Sequence, residues 1–417
     1  MEEKTKQGNV LGFLNSNIGV AVINVVMFAL VYFILTLEYK PSLSLLAIVI
    51  ICLLYLEKKG LVNQIFEIFI AHRKMAIIST LVLLLALPMM LAGQRYIAHI
   101  AIIAVIYSMA AIGLNFQMGS TDMVNFAPAA FMGIGAYSLA VFTVKLGLSA
   151  WLGLIAAVVC SAIIGVVIGL PTLRTKGYYL SLVTMALQLA FTMLLYVITY
   201  LGGPMGIPGV GAFKLGSISL MKSYTIFGVK MAPQIPFLYL TIIILVILTY
   251  IAMRVYISRI GLSLNNIAQD EVAANCMGID ITRQKLFAFV IGAVFCGVAG
   301  ALYGSYTTYV GPDDFGFPKS LMIICMVILG GMDNSVSIIV GAFILTVITE
   351  KLRAFADFQQ LIYSVILVVV LIVRPSGLVP KRVRHYHTLF KKDVTRNLVK
   401  GDTLPKPEKT DNFVPEV

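Results

Sequence analysis

Residues 97–116 read IAHIAIIAVIYSMAAIGLNF, twenty consecutive positions without a Lys, Arg, Asp or Glu. A helix rises about 1.5 Å per residue, so such a run covers about 30 Å, the depth of a bilayer's hydrocarbon core. Runs of similar character recur in both directions: 18–37, 41–56 and 75–92 before it, then 123–144, 148–170, 178–201, 237–257 and 286–309. A longer segment, 320–349, follows, and 359–373 closes the series. A helix satisfies its own backbone hydrogen bonds, which is what crossing lipid demands. The pattern predicts an all-α, polytopic transmembrane helical bundle with about 10–12 crossings, some of them interrupted or re-entrant.

Composition points the same way. Of 417 residues, 59% are hydrophobic and 12% charged, with a mean hydropathy of +0.95. A soluble domain carries about twice that share of charge, so a cytosolic multidomain enzyme is excluded, as is intrinsic disorder except at the ends. The 31 Lys and Arg against 19 Asp and Glu leave +12. These cations gather in the links between apolar runs and near the C-terminus, as cytoplasmic loops of membrane proteins do. The partner they imply is a lipid bilayer and no nucleic acid. The first run lacks a small-residue cleavage site after it and reads as a span, not a signal peptide.

Orientation follows from the basic links. Lys58, Lys59, Arg73 and Lys74, then Arg174 and Lys176, then Arg254, Arg259, Arg283 and Lys285, all fall on one side if the N-terminus is cytoplasmic. The link 202–236 falls outside despite Lys214, Lys222 and Lys230. The C-terminal stretch from Arg374 to Lys392 is the most basic of all and belongs inside, which a single crossing at 320–349 would forbid. The break Gly330-Gly331-Met332-Asp333-Asn334 divides that segment into two short passes and restores the parity. The chain then comprises N-terminal extra helices (1–96), a core (97–380) and a basic disordered cytoplasmic tail (381–417).

Several chemistries are missing. There is no G-x-x-x-x-G-K-[ST] phosphate loop, H-E-x-x-H or G-x-S-x-G. Carboxylates are nearly absent from the spans, so no ladder of intramembrane acids supports a proton-driven carrier. Five cysteines form no C-x-x-C pair, and His72, His99, His385 and His387 are too scattered for a metal cluster. No catalytic residue and no metal site are expected. Uphill transport would draw its energy from a partner.

Three polar clusters interrupt the apolar pattern. The link 258–285 contains Glu271-Val-Ala273-Ala274-Asn-Cys-Met-Gly278, polar and long enough for a two- or three-turn helix stopped at Gly278. Ala273 and Ala274 are small enough to admit another protein's surface, and Glu271 offers an acceptor to a basic partner. A second cluster holds Asn115, then Asp122-Met-Val-Asn125-Phe126-Ala127-Pro128 and Phe131-Met-Gly133-Ile134-Gly135. It predicts a bend facing a polar cavity, with Asn115, Asp122, Asn125 and Phe126 as candidates for lining a path. Amides at a half-helix start there would suit a carboxylate, while Gly133 and Gly135 serve packing. The third cluster is Leu173-Arg174-Thr-Lys176-Gly177-Tyr178-Tyr179 followed by Leu201-Gly202-Gly203-Pro204-Met205-Gly206-Ile207.

The E-x-A-A-x-x-x-G pattern resembles the loop by which ABC importer permeases dock on their ATP-binding subunits. With the blocks 131–137, 173–179, 201–207, 297–302, 329–332 and 374–378, the chain resembles the LivH/LivM permeases of branched-chain amino-acid ABC importers. The LivM type is the nearer, over about residues 97–380, although Asn125-Phe126-Ala127 looks more like LivH. The resemblance implies a non-enzymatic, multi-pass permease subunit of the bacterial cytoplasmic (inner) membrane, with both termini cytoplasmic. Its implied partners are a second, LivH-like permease subunit, two ATP-binding subunits carrying ATP-Mg, and an extracytoplasmic substrate-binding protein. This chain itself would bind no cofactor. Glu271, Ala273, Ala274 and Gly278 are the implied docking residues. A urea or short-amide permease shares the framework, and a stand-alone carrier or channel is the rival from another class.

Overall fold

A computed structural model describes residues 17–36, 72–91, 93–172, 178–215, 218–220, 224–226 and 229–351, with single positions at 361, 365, 368 and 377. The expected span 41–56, the block 173–177 and the tail 381–417 lie outside the described residues. So do the expected span 359–373 and the ending 374–378, apart from those single positions. The helices are α1 (Asn17–Thr36), α2 (Arg73–Met90), α3 (Arg95–Thr121), α4 (Pro128–Ala140), α5 (Ala150–Thr172) and α6 (Tyr178–Val197). They continue with α7 (Ile235–Ile257), α8 (Arg259–Gln269), α9 (Glu271–Cys276), α10 (Ile281–Thr307), α11 (Phe317–Gly330) and α12 (Ser335–Lys351). Among the described residues, six stretches are long and apolar enough to cross a membrane: α3, Pro128–Lys145, α5, α6, α7 and α10. The protein is an all-α polytopic bundle.

Helix α10 occupies the centre, packed against α3, α4 and α5. In lipid no hydrophobic effect drives helices together, so close backbone approach does that work, and it requires glycine. A Cβ on Gly135 of α4 would fall inside the carbonyl of Gly297 on α10, and one on Gly300 would fall inside the carbonyl of Met132. The two glycines expected to pack do so, Gly133 lying against the Phe191 and Phe315 rings. Helix α3 is apolar on all faces and buried along nearly its whole length. Helix α6 instead turns Leu182, Leu189, Met193 and Val197 outward, as a lipid-facing helix does.

The long helices define two ends of the bundle. At one, the link carrying α8 and α9 lies beside the C-terminus of α3. At the other, β1 (Ile207–Pro208) pairs with β2 (Tyr309–Val310), tying the 202–236 link to the exit of α10. Helices α3 and α10 are both 27 residues long, and each ends on a left-handed residue, Asp122 (φ 54°) and Thr308 (φ 56°). Beyond each of these the chain turns back into the bundle before a shorter, proline-started helix begins: α4 with 13 residues, α11 with 14. At about 1.5 Å per residue α11 does not span a bilayer's core by itself, and α4 reaches the length of the stretch named above only by running on through a π-helical turn, Val141–Lys145. The expected run 123–144 therefore resolves into a non-helical stretch, 122–127, and a helix that starts only at Pro128. The segment 320–349 forms two helices, as its glycine break predicts. Gly341 of α12 sits against Gly330 of α11, so the two pack closely about the turn.

Candidate functional site

The 258–285 link folds as two helices rather than one. Ser258 caps α8, which buries Gly261, Leu264 and Ile267 and exposes Asn266 and Gln269. The chain breaks at Asp270, whose Oδ1 accepts the amides of Val272 (2.8 Å) and Ala273 (3.0 Å) and starts α9. Gly278 takes φ +78° and ends the turn, the left-handed stop its position predicts. The four expected docking residues separate here. Ala273 and Gly278 are exposed, whereas Ala274 is 2% exposed and packs into its own chain. Glu271 is held by an ion pair with Lys285 of α10. The outermost apolar groups are Val272 (74% exposed) and Met277 (80%), two residues that sequence reasoning passed over. Their signal was available: both flank the alanine pair in an otherwise polar link. A hollow of about 500 Å³ in the same link is lined by Glu271, Asn275, Gly278 and Lys285, among others.

Asp122 lies beside this region. It is exposed at the end of α3 and, with Thr121, Asp270, Glu271 and Lys285, lines a second hollow of about 210 Å³. Asn115 is buried, and its hydrogen bonds are committed. Its Oδ1 accepts the Asp333 amide (2.8 Å) and its Nδ2 donates to Tyr256 Oη (2.5 Å), pinning the α11–α12 turn to α3 and α7. Ser120 Oγ adds a bond to Asp333 Oδ1 (3.2 Å). Asn125 is buried as well. It donates to Gln117 Oε1 (2.6 Å) and accepts the Ala127 amide (2.8 Å), fixing the bend before α4. Phe126 lies half-buried beside Phe317, ring centroids 6.3 Å apart.

The stretch 122–127 climbs along α6 in successive steps. Ser181 Oγ donates to Val124 O, Thr184 Oγ1 accepts the Phe126 amide, and Gln188 Oε1 accepts the Ala130 amide (2.7 Å). Gln188 stands ten residues into α6, about 15 Å from its start, so α4 begins at mid-depth. Helix α11 begins there too. Gln188 Nε2 donates to Phe315 O (2.7 Å), and Ser320 Oγ both donates to Gln188 Oε1 (3.0 Å) and accepts the Ala129 amide (3.1 Å). The N-termini of two half-helices thus meet inside the bundle, α4 running toward the far end and α11 toward the link. Their positive dipole ends are where an anion would be drawn. The amides of Ala129 and Ala130 are already taken by Ser320 and Gln188, so the carboxylate-binding role expected of a half-helix start is occupied from within. Gln188 and Ser320 were missed as candidates; a polar side chain inside the apolar run 178–201 was the available sign.

Comparison with known proteins shows what this chain is similar to. Residues 96–374 match the family described as branched-chain amino acid transport system / permease component. The high-affinity branched-chain amino acid transport system permease protein LivM of Salmonella typhimurium is 32% identical over 321 residues, covering 74% of this chain and 75% of that protein. LivM of Escherichia coli K12 is 31% identical over the same shares. LivH of Salmonella typhimurium is 26% identical, covering 65% of this chain and 90% of its own. No solved structure matches. The family match across residues 96–374, with the 32% identity to LivM, places this chain in the branched-chain amino acid transport permease family, on the LivM side of it.

Proposed function

We propose that this permease serves an ATP-driven importer of branched-chain or other hydrophobic amino acids in the bacterial cytoplasmic membrane. The observation that carries the reading is the pairing of the family match with the α8–α9 link. That link is a rigidly capped surface feature with two exposed apolar side chains and small residues between them, on a chain that lacks a phosphate loop. It faces the cytoplasm and docks on one of two ATP-binding subunits, which carry the ATP-Mg. Ala273 and Gly278 admit the partner's surface, Glu271 is oriented by Lys285, and Ala274 anchors α9 beneath. Residues 97–380 form the transporting core, 1–96 add flanking helices, and 381–417 extend into the cytoplasm with the C-terminus; the N-terminus lies on the same side. A second, LivH-like permease completes the membrane unit, and an extracytoplasmic binding protein delivers substrate.

Mechanically, the link transmits the partner's ATP cycle to α3 and α10. Glu271 bonds Lys285 at the base of α10, and Asp122 at the end of α3 borders the same hollow. A push on α9 biases the bundle between two packings, the basis of alternating access. Asn115, Asp122, Asn125 and Phe126 border the path along these broken segments, and Asn115 and Asn125 also hold the segments in register as those packings exchange.

The test is co-purification from membranes. Ala273→Glu, at an exposed position, leaves the bundle folded while the ATP-binding subunits are lost and leucine uptake falls. Retained complex and retained uptake in that variant overturn the docking assignment. Competition of uptake by leucine, valine, other amino acids and urea fixes the substrate class, and competition by urea alone overturns the amino-acid reading.

A further inference from the structure

Above the mid-depth junction, toward the end where α10 exits, lies a second set of charged groups that neither the docking link nor the junction uses. Lys319, at the start of α11, is half-buried. Its Nζ donates to Tyr107 Oη (2.6 Å) and lies 5.1 and 5.7 Å from the centroids of the Tyr107 and Tyr303 rings. Among the described residues, no carboxylate oxygen comes within 4.0 Å of it. An ammonium carries three donors, and ring faces offer only part of what a carboxylate would. Even a half-buried charge in a membrane bundle is costly and makes its residue a candidate for a functional site.

The opposite charge is close by and is held separately. Asp314 accepts Tyr303 Oη (3.3 Å) and the Gly311 amide (3.2 Å), and the neighbouring Asp313 accepts Tyr196 Oη. Lys319 and Asp314 therefore share Tyr303 as a neighbour without forming an ion pair. Tyr137 adds an independent sign. It is 4% exposed, its hydroxyl has no hydrogen-bond partner among the described residues, and its electrostatic neighbours are Asp313, Asp314, Tyr196 and Tyr309. A buried hydroxyl left unpaired is unfavourable unless something else comes to pair with it. The Phe315 ring, 5.9 Å from that of Tyr303 and 6.3 Å from that of Tyr137, gives the group an apolar floor.

We propose that Lys319, Asp314 and Tyr137 form an amphoteric recognition site for a free α-amino acid. Lys319 takes the carboxylate, and Asp314 with Tyr137 Oη takes the ammonium. A cation and an anion kept apart by tyrosines match a zwitterion, whose own two charges cannot collapse onto each other. Neither a simple anion nor a simple cation would satisfy both ends. The assignment presupposes an amino-acid cargo, and the experiment separates the two claims.

The complete importer is rebuilt in proteoliposomes, with ATP inside and leucine-loaded binding protein outside, and radiolabelled leucine moved per ATP hydrolysed is measured. Lys319→Gln retains binding-protein-stimulated hydrolysis but lowers leucine per ATP by about tenfold or more, the scale of a lost charge-assisted bond. Lys319→Arg, which keeps the charge, restores most of it. Unchanged leucine per ATP in Lys319→Gln overturns the site while leaving the amino-acid reading intact. A native importer that moves no leucine, valine or other amino acid overturns that reading, and the site with it. If Lys319→Gln does not assemble, Asp314→Asn is judged by the same ratio, with an unchanged value overturning the site and a fall supporting it.

Discussion

The mid-depth junction and the α8–α9 link are both polar interruptions of an apolar chain, yet they solve opposite problems. Inside the bundle, Gln188, Ser320, Asn125 and Asn115 are buried and spend their donors and acceptors on backbone groups and on one another's or neighbouring polar side chains. With no water at that depth, an unmade bond there costs its full desolvation. In the link, Ser258, Asp270 and Asp280 cap local backbone, and Val272, Ala273 and Met277 face outward while Leu264, Ile267 and Ala274 anchor the helices beneath. Polar residues inside hold the fold, and polar or apolar residues outside await a partner. Substitutions should therefore separate into those that remove the protein and those that remove only its company.

The largest effect is expected where backbones touch. Gly135→Val drives a branched side chain into the Gly297 carbonyl and should destabilise the bundle by about 3 kcal/mol or more, read as lost folded yield in mild detergent. Folded material at native levels would show that α4 and α10 can separate, and would weaken the contrast. Next, Gln188→Leu strands the Ala130 amide and the Phe315 carbonyl, a loss of about 2–3 kcal/mol in detergent-solubilised thermal unfolding. A change below about 0.5 kcal/mol would place the junction among surface-like sites. Val272→Asp or Met277→Asp should shift stability by no more than about 0.5 kcal/mol yet reduce recovered ATP-binding subunits about tenfold. The smallest effect is expected of Lys285→Ala. Its ion pair with Glu271 is partly exposed, with side-chain accessibilities of 13% and 43%, so screening leaves about 0.5 kcal/mol, detectable as a slight loss of melting temperature.

Much of this was legible from residue order. The runs at 97–116, 148–170 and 237–257 correspond to α3, α5 and α7 within a few residues, because a twenty-residue uncharged stretch has few other fates. The stop at Gly278 and the packing roles of Gly133 and Gly135 were readable from residue type. Less legible was the split of 123–144, where apolar content continues through a bend that Asn125 and Thr184 stabilise from outside the helix. The alanine pair shows the same limit: residues 273 and 274 are chemically identical, and only the packing of α9 makes one a surface and the other an anchor.

Residue order was enough to show that this chain lives in lipid as a helical bundle, that it contains no phosphate-loop motif, and where its polar link lies. These depend on hydropathy, charge and turn chemistry, which are local. Only the packed chain shows that two helix starts share Gln188, that Asn115 grips the turn at Asp333 more than two hundred residues away, and that Lys319 and Asp314 flank Tyr303 without pairing with each other. Each of those depends on which distant segment supplies the missing donor, acceptor or charge, and a side chain's partner is set by where the backbone brings it, not by its neighbours in the chain.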